Sequence, residues 1–145
     1  MAIELGNFAF MFRDNPMLNH VWFEDPKNTL ERLERGFRRL VDGLALEAIS
    51  DKVRSELCHD GRFSWDHAYI RIYEDVFANV LGKSLIPWVD ETFRSKSEVR
   101  RELGSLNRIR NIIFHPSRGL LVESDRERLA SLFLRYVGGT GDWPA

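Results

Sequence analysis

From Asn28 onward the apolar positions return every three or four residues, the period of a helix with one buried face. Asn28 reads as a cap with Glu31 three residues on, and Leu30, Leu33, Phe37, Leu40 and Leu44 form the stripe behind it. The stripe extends through Ala48 and Val53 to Leu57, with Gly36 and Gly43 each weakening the helix by about 1 kcal/mol. Cys58-His59-Asp60-Gly61-Arg62 ends it as a loop. Ser64 then caps a second helix with Trp65, Tyr69, Ile72, Val76 and Val80 along one face, and Gly82 stops it. A short segment around Pro87-Trp88 leads to a third long helix, capped by Ser97 and running through Phe114. Pro116 ends that helix, because proline lacks an amide donor and disfavours helical geometry at His115. Ser124 with Glu127 reads as a capping box for a last helix, closed by Gly138.

Every element found this way is helical. The expected fold is an all-α antiparallel bundle of four to five helices. The first 25 residues do not follow the period. With Phe8, Phe10, Phe12, Trp22 and Phe23 they read as an irregular, aromatic-rich segment covering the core, and residues 138–145 read as a flexible tail. A chain of 145 residues fits one domain, 1–145.

Composition narrows the class. Balanced charge, 21 Lys+Arg against 22 Asp+Glu, excludes a disordered tail and a wholly basic RNA-coating protein. No apolar run approaches ~18 residues, and Met1 to Phe12 has no basic cluster ahead of an apolar core, so a cytoplasmic location without membrane insertion is expected. The single cysteine, Cys58, permits no intramolecular disulfide and no cysteine-rich zinc framework. Charge placement says more than its sum. Seventeen of the basic residues are Arg, and Arg94, Lys96, Arg100, Arg101, Arg108, Arg110 and Arg118 face only Glu98 and Glu102 over one short stretch. That leaves +5 locally and −6 elsewhere. The planar guanidinium suits bidentate phosphate contacts, although such a run is also what a solvated helix face looks like.

Three clusters could carry chemistry. Cys58-His59 with His67 has metal-binding residue types but lacks a fourth ligand, and reads as a loop with incidental histidines. Asp66 opens the second helix, where an acid favours the dipole, and Glu74 and Asp75 read as solvated or ion-paired rather than as an acid–base pair. The third cluster lies in Arg108-Ile109-Arg110-Asn111-Ile112-Ile113-Phe114-His115-Pro116. At ~100° per residue, Val99, Leu103, Leu106, Ile113 and Phe114 share a face within ~100°, and Arg110 lies in the middle of it. A guanidinium there is costly unless it meets a carboxylate of a neighbouring helix or the face meets something polar. Arg101, Arg108, Asn111 and His115 line up within roughly 80° on the other side. Histidine suits proton transfer near neutral pH, and arginine can hold a phosphate and the charge that grows on it.

The Arg110-Asn111-x-x-x-His115 segment, at the end of the penultimate long helix of a small all-α domain, resembles the HEPN superfamily. The signature there is an Arg and a His with four to six residues between them, often with Asn directly after the Arg. Arg110 meets the four-residue spacing and Arg108 the six-residue spacing. The resemblance implies a helical bundle that dimerises so that two motifs face one cleft. It further implies a metal-independent endoribonuclease, without a cofactor, acting in a toxin, stress or phage-defence setting, in some cases beside an antitoxin or effector protein. His115 would then be the general acid or base, Arg110 the phosphate and transition-state stabiliser, and Asn111 the orienting group. Arg101, Arg108 and Arg118 would bind RNA along the cleft. Other members of the superfamily are non-catalytic dimerisation or binding modules. Members paired with a nucleotidyltransferase antitoxin carry Tyr two residues after the His, where this chain has Ser117. On one straight helix Arg110 and His115 stand ~140° apart. The last turn must therefore distort, or Arg110 of one subunit must meet His115 of another.

Overall fold

A computed structural model of the chain describes residues 25–140 apart from 116, 118 and 120. Four main helices pack as a bundle, joined by short helices and one two-stranded hairpin. The first helix, α1, spans Pro26–Val41. Its cap is Asp25 rather than Asn28: the Asp25 side chain accepts from the Lys27 amide at 3.2 Å, and Pro26 pre-sets the first turn. Leu30, Leu33, Phe37 and Val41 are buried, and Arg38 and Arg39 complement the dipole in the last turn.

The stripe does not continue to Leu57 as one helix. Asp42-Gly43 breaks it, a single 3-10 turn follows at Leu46–Ala48, and α2 restarts at Asp51–Glu56. Ser50 caps α2, accepting from the Val53 amide at 3.3 Å. The chain therefore turns while Val53 and Leu57 still reach the core. The expected loop after it is a hairpin: β1 Cys58–His59 pairs antiparallel with β2 Arg62–Phe63. Asp60 and Gly61 both take positive φ (54° and 75°), the geometry of a tight two-residue hairpin turn.

Ser64 caps a 3-10 turn at Trp65–His67, not the second long helix, and α3 starts afresh at Ile70–Val80. Tyr69 caps α3 from an exposed position instead of joining its buried face. After Gly82, in the left-handed region at φ 81°, α4 spans Pro87–Thr92. Asp90 ties down this turn, accepting from the amides of Gly82 at 2.6 Å and Ser84 at 3.1 Å.

The fifth helix, α5, spans Lys96–Phe114, capped by Ser95 rather than Ser97 through a 3.1 Å bond from the Glu98 amide. The sixth, α6, spans Glu123–Thr140. Asp125, not Ser124, reaches back to the backbone at its start, accepting from the Val122 amide at 3.3 Å. Gly138 does not close α6, which runs two residues further.

The densest packing is α3 along α5, and α6 collects α1, α4 and α5. The centre is aromatic. Phe37 meets Phe77 at 5.2 Å and Trp88 at 5.7 Å between ring centres, and the Trp88 indole donates to the Arg135 carbonyl at 2.8 Å. Gly36 lets α1 and α6 close. A Cβ there would fall 2.6 Å from Tyr136 Cε1 and nearer still to Cζ.

Candidate functional site

The motif segment is helical to its end. The His115 amide donates to the Asn111 carbonyl at 2.9 Å, an ordinary helical bond. His115 itself leaves the helix at φ −134° and ψ 73°, as the residue before a proline must. No distortion of the last turn brings Arg110 round to His115. His115 is exposed at the helix terminus, Asn111 is half-buried one turn back, and Arg110 points elsewhere.

Arg110 reaches α1. Its Nε donates to Glu34 Oε1 at 3.2 Å, and its guanidinium lies 5.0 Å from the centre of the Phe114 ring. The Arg110 side chain keeps about a third of its surface exposed, 32%. The core face of α5 winds past it. Val99, Leu103, Leu106 and Ile109 are buried, Ile113 is half-buried, and Phe114 stays 38% exposed. Ile109, off the expected stripe, is thus buried while Phe114, expected on it, is exposed. Lys27 Nζ stands 5.5 Å from the centre of the same Phe114 ring, so two cations share one aromatic ring.

Burial raises the Glu34 carboxyl above the ordinary glutamate range, and the Arg110 charge beside it pulls the other way. Glu34 is the partner that sequence reading leaves unnamed. Its signal was its place at the edge of the α1 stripe, between buried Leu33 and Phe37.

Arg108 and Arg101 have carboxylates of their own. Arg108 bonds Asp125, a buried acid whose second oxygen takes the Val122 amide, so this pair pins the connection between α5 and α6. Arg101 is exposed and lies 3.8 Å from Glu102. Arg118 lies outside the described residues. Among the described residues no hydrogen bond joins Arg110 to His115, and no side-chain bond joins Asn111 to His115.

The two other clusters resolve into local contacts. His59 and His67 pack edge to face at 4.3 Å, and no group of three metal-ligating side chains is present among the described residues. Arg38 bonds Asp66 and holds its carboxyl below the ordinary aspartate range. Arg100 lies 3.1 Å from Asp75 and 3.9 Å from Glu74, whose carboxyl burial pushes up against that attraction. No helix among the described residues is long and apolar enough to cross a membrane. Comparison of the chain with family models, curated proteins and solved structures finds no match.

Proposed function

We propose that the chain is a HEPN-type, metal-independent endoribonuclease working as a homodimer, with Arg110, Asn111 and His115 as its reacting set. The observation that carries this reading is where the Arg-Asn-x-x-x-His segment sits. It occupies the last turn of the penultimate long helix of a four-helix bundle, with His115 exposed in the cap. In the reaction, the RNA 2′-hydroxyl loses its proton and forms a bond to the adjacent phosphorus, while the bond to the 5′ oxygen breaks and that oxygen takes a proton. His115 moves one of these protons. Arg110 offsets the charge that builds on the phosphate oxygens. With ~140° between the two side chains on a regular helix, they serve this reading as parts of opposite subunits in a shared site. Exposed Phe114 beside Arg110 gives that two-fold contact an apolar element.

A second reading draws on the Glu34 pair. A guanidinium already bonded to a carboxylate suits a non-catalytic binding module of the same fold. Activity separates the two. Wild-type protein should cleave single-stranded RNA in EDTA, and His115→Ala should lower the rate by about 100-fold or more with the fold retained. Wild-type protein that leaves diverse single-stranded RNAs intact would establish the second reading over the first.

A further inference from the structure

A groove of about 330 Å³ runs along α1 past Glu31, Glu34, Arg35 and Arg38. Its far wall is Trp65, Asp66 and Ala68 from the turn before α3, and Tyr73 of α3 itself. The volume lies at the small end of the range for ligand-holding clefts. Two of its charges already have partners: Arg38 bonds Asp66, and Glu34 accepts from the Arg110 Nε at 3.2 Å. Glu31 and Arg35 do not. Opposite charges four residues apart on a helix ordinarily pair, yet among the described residues no ion pair joins these two exposed side chains to each other or to a third group. The groove therefore offers an open acid and, one turn or about 6 Å further along α1, an open base. Tyr73 adds a third open group. Its ring packs edge-on against Phe37 at 5.6 Å and stacks on Phe77 at 6.1 Å, so its hydroxyl end is what meets the groove. Tyr73 is 3% exposed, and its hydroxyl makes no hydrogen bond among the described residues. A polar group so deeply buried without a partner is uncommon. Burial and the nearby Glu34 charge push its pKa up to about 12, so it stays a hydrogen-bond donor.

We propose that this groove binds a small zwitterion, a free α-amino acid with an apolar side chain. Glu31 accepts from its ammonium group. The Arg35 fork and the Tyr73 hydroxyl donate to its carboxylate, a planar acceptor that a guanidinium matches with two parallel bonds. Trp65 and Ala68 receive its side chain. A simple cation in the groove would meet Arg35, and a simple anion would meet Glu31; a ligand carrying both charges a few bonds apart satisfies the two ends together. Among the described residues the groove is lined by neither Arg110 nor His115, and it borders the motif only through Glu34. The assignment does not rest on the ribonuclease reading.

The test is an NMR titration of the isotope-labelled chain with L-leucine, L-methionine and L-phenylalanine, each beside its N-acetyl and its amide form. Even at the low efficiency of drug-sized ligands, about ten non-hydrogen atoms give a dissociation constant of about 6 mM or tighter for at least one of the three. Glu31→Gln, Arg35→Gln and Tyr73→Phe should each weaken that binding by about tenfold, the scale of one hydrogen bond to a charged group. Acetylating the ammonium or amidating the carboxylate should weaken it as much. Glu31 and Arg35 are exposed, so their variants should keep the wild-type melting temperature. Glu56→Gln and Arg62→Gln, exposed outside the groove, should bind as the wild type does. No shift of the α1 amides by any of the three amino acids, at several times the expected dissociation constant, overturns the site. Wild-type binding by the Glu31, Arg35 and Tyr73 variants puts the ligand elsewhere and overturns it too. Full binding by the amide form overturns the zwitterion in favour of an amine such as a peptide amino terminus. Full binding by the N-acetyl form overturns it in favour of a plain carboxylate.

Discussion

Arg110 bonds Glu34, lies over the Phe114 ring and stands five residues before His115. Its place in an apolar stripe is visible in the sequence, and so is the requirement for a carboxylate from a neighbouring helix. Which carboxylate was not visible, because Glu34 precedes Arg110 by 76 residues and helix pairing decides the match. Glu34 also carries a pH signature. Burial raises its pKa from 4.5, so the folded chain holds that proton more tightly than the unfolded one, and charging it costs stability. The cost is absent below the ordinary value and grows as pH rises through the raised one. Wild-type protein should therefore lose stability relative to Glu34→Gln between about pH 4.5 and neutrality, read as the difference in urea midpoints. A difference that stays flat, or grows in favour of the wild type, would mean that attraction to Arg110 outweighs burial.

Among the elements, the four long helices were legible from periodicity, because each buries one face. Their ends were less so. Asn28, Ser97 and Ser124 have the right chemistry for caps, yet Asp25, Ser95 and Asp125 hold the backbone bonds, since a cap depends on where the chain enters rather than on residue type alone. Periodicity does not reveal the hairpin, although Asp60-Gly61 is the dipeptide such turns favour, because two-residue strands leave no alternation to read. Gly36 is a weakness by helix propensity but a requirement of packing. Gly36→Ala gains about 1 kcal/mol of helix propensity but forces a methyl into the Tyr136 ring, an overpacking cost of about 1–3 kcal/mol. The variant should show a lower urea midpoint with α1 and α6 the first elements to lose amide protection. A midpoint equal to or above the wild type would show that Tyr136 can move aside freely.

For the whole molecule, the basic stretch near the motif is not the only one: α1 carries Arg32, Arg35, Arg38 and Arg39. The −6 assigned to the rest of the chain averages over Arg32 to Arg39, four cations that the bundle gathers beside α6. Within the motif stretch itself, Arg108 and Arg100 meet acids from other elements. Sequence distance hides both effects: burial and pairing are set by which helices touch. The account also depends on a partner copy. A regular α5 end leaves Arg110 facing α1 and His115 facing outward, so on the proposed reading the two would have to meet across two subunits. Mixing two inactive variants tests this most directly. Arg110→Ala and His115→Ala should each fail to cleave single-stranded RNA in EDTA. A 1:1 mixture, allowed to exchange subunits, should recover about a quarter of wild-type activity, because half the two-fold dimers then hold one intact shared site. A mixture as inactive as its components would contradict the shared site.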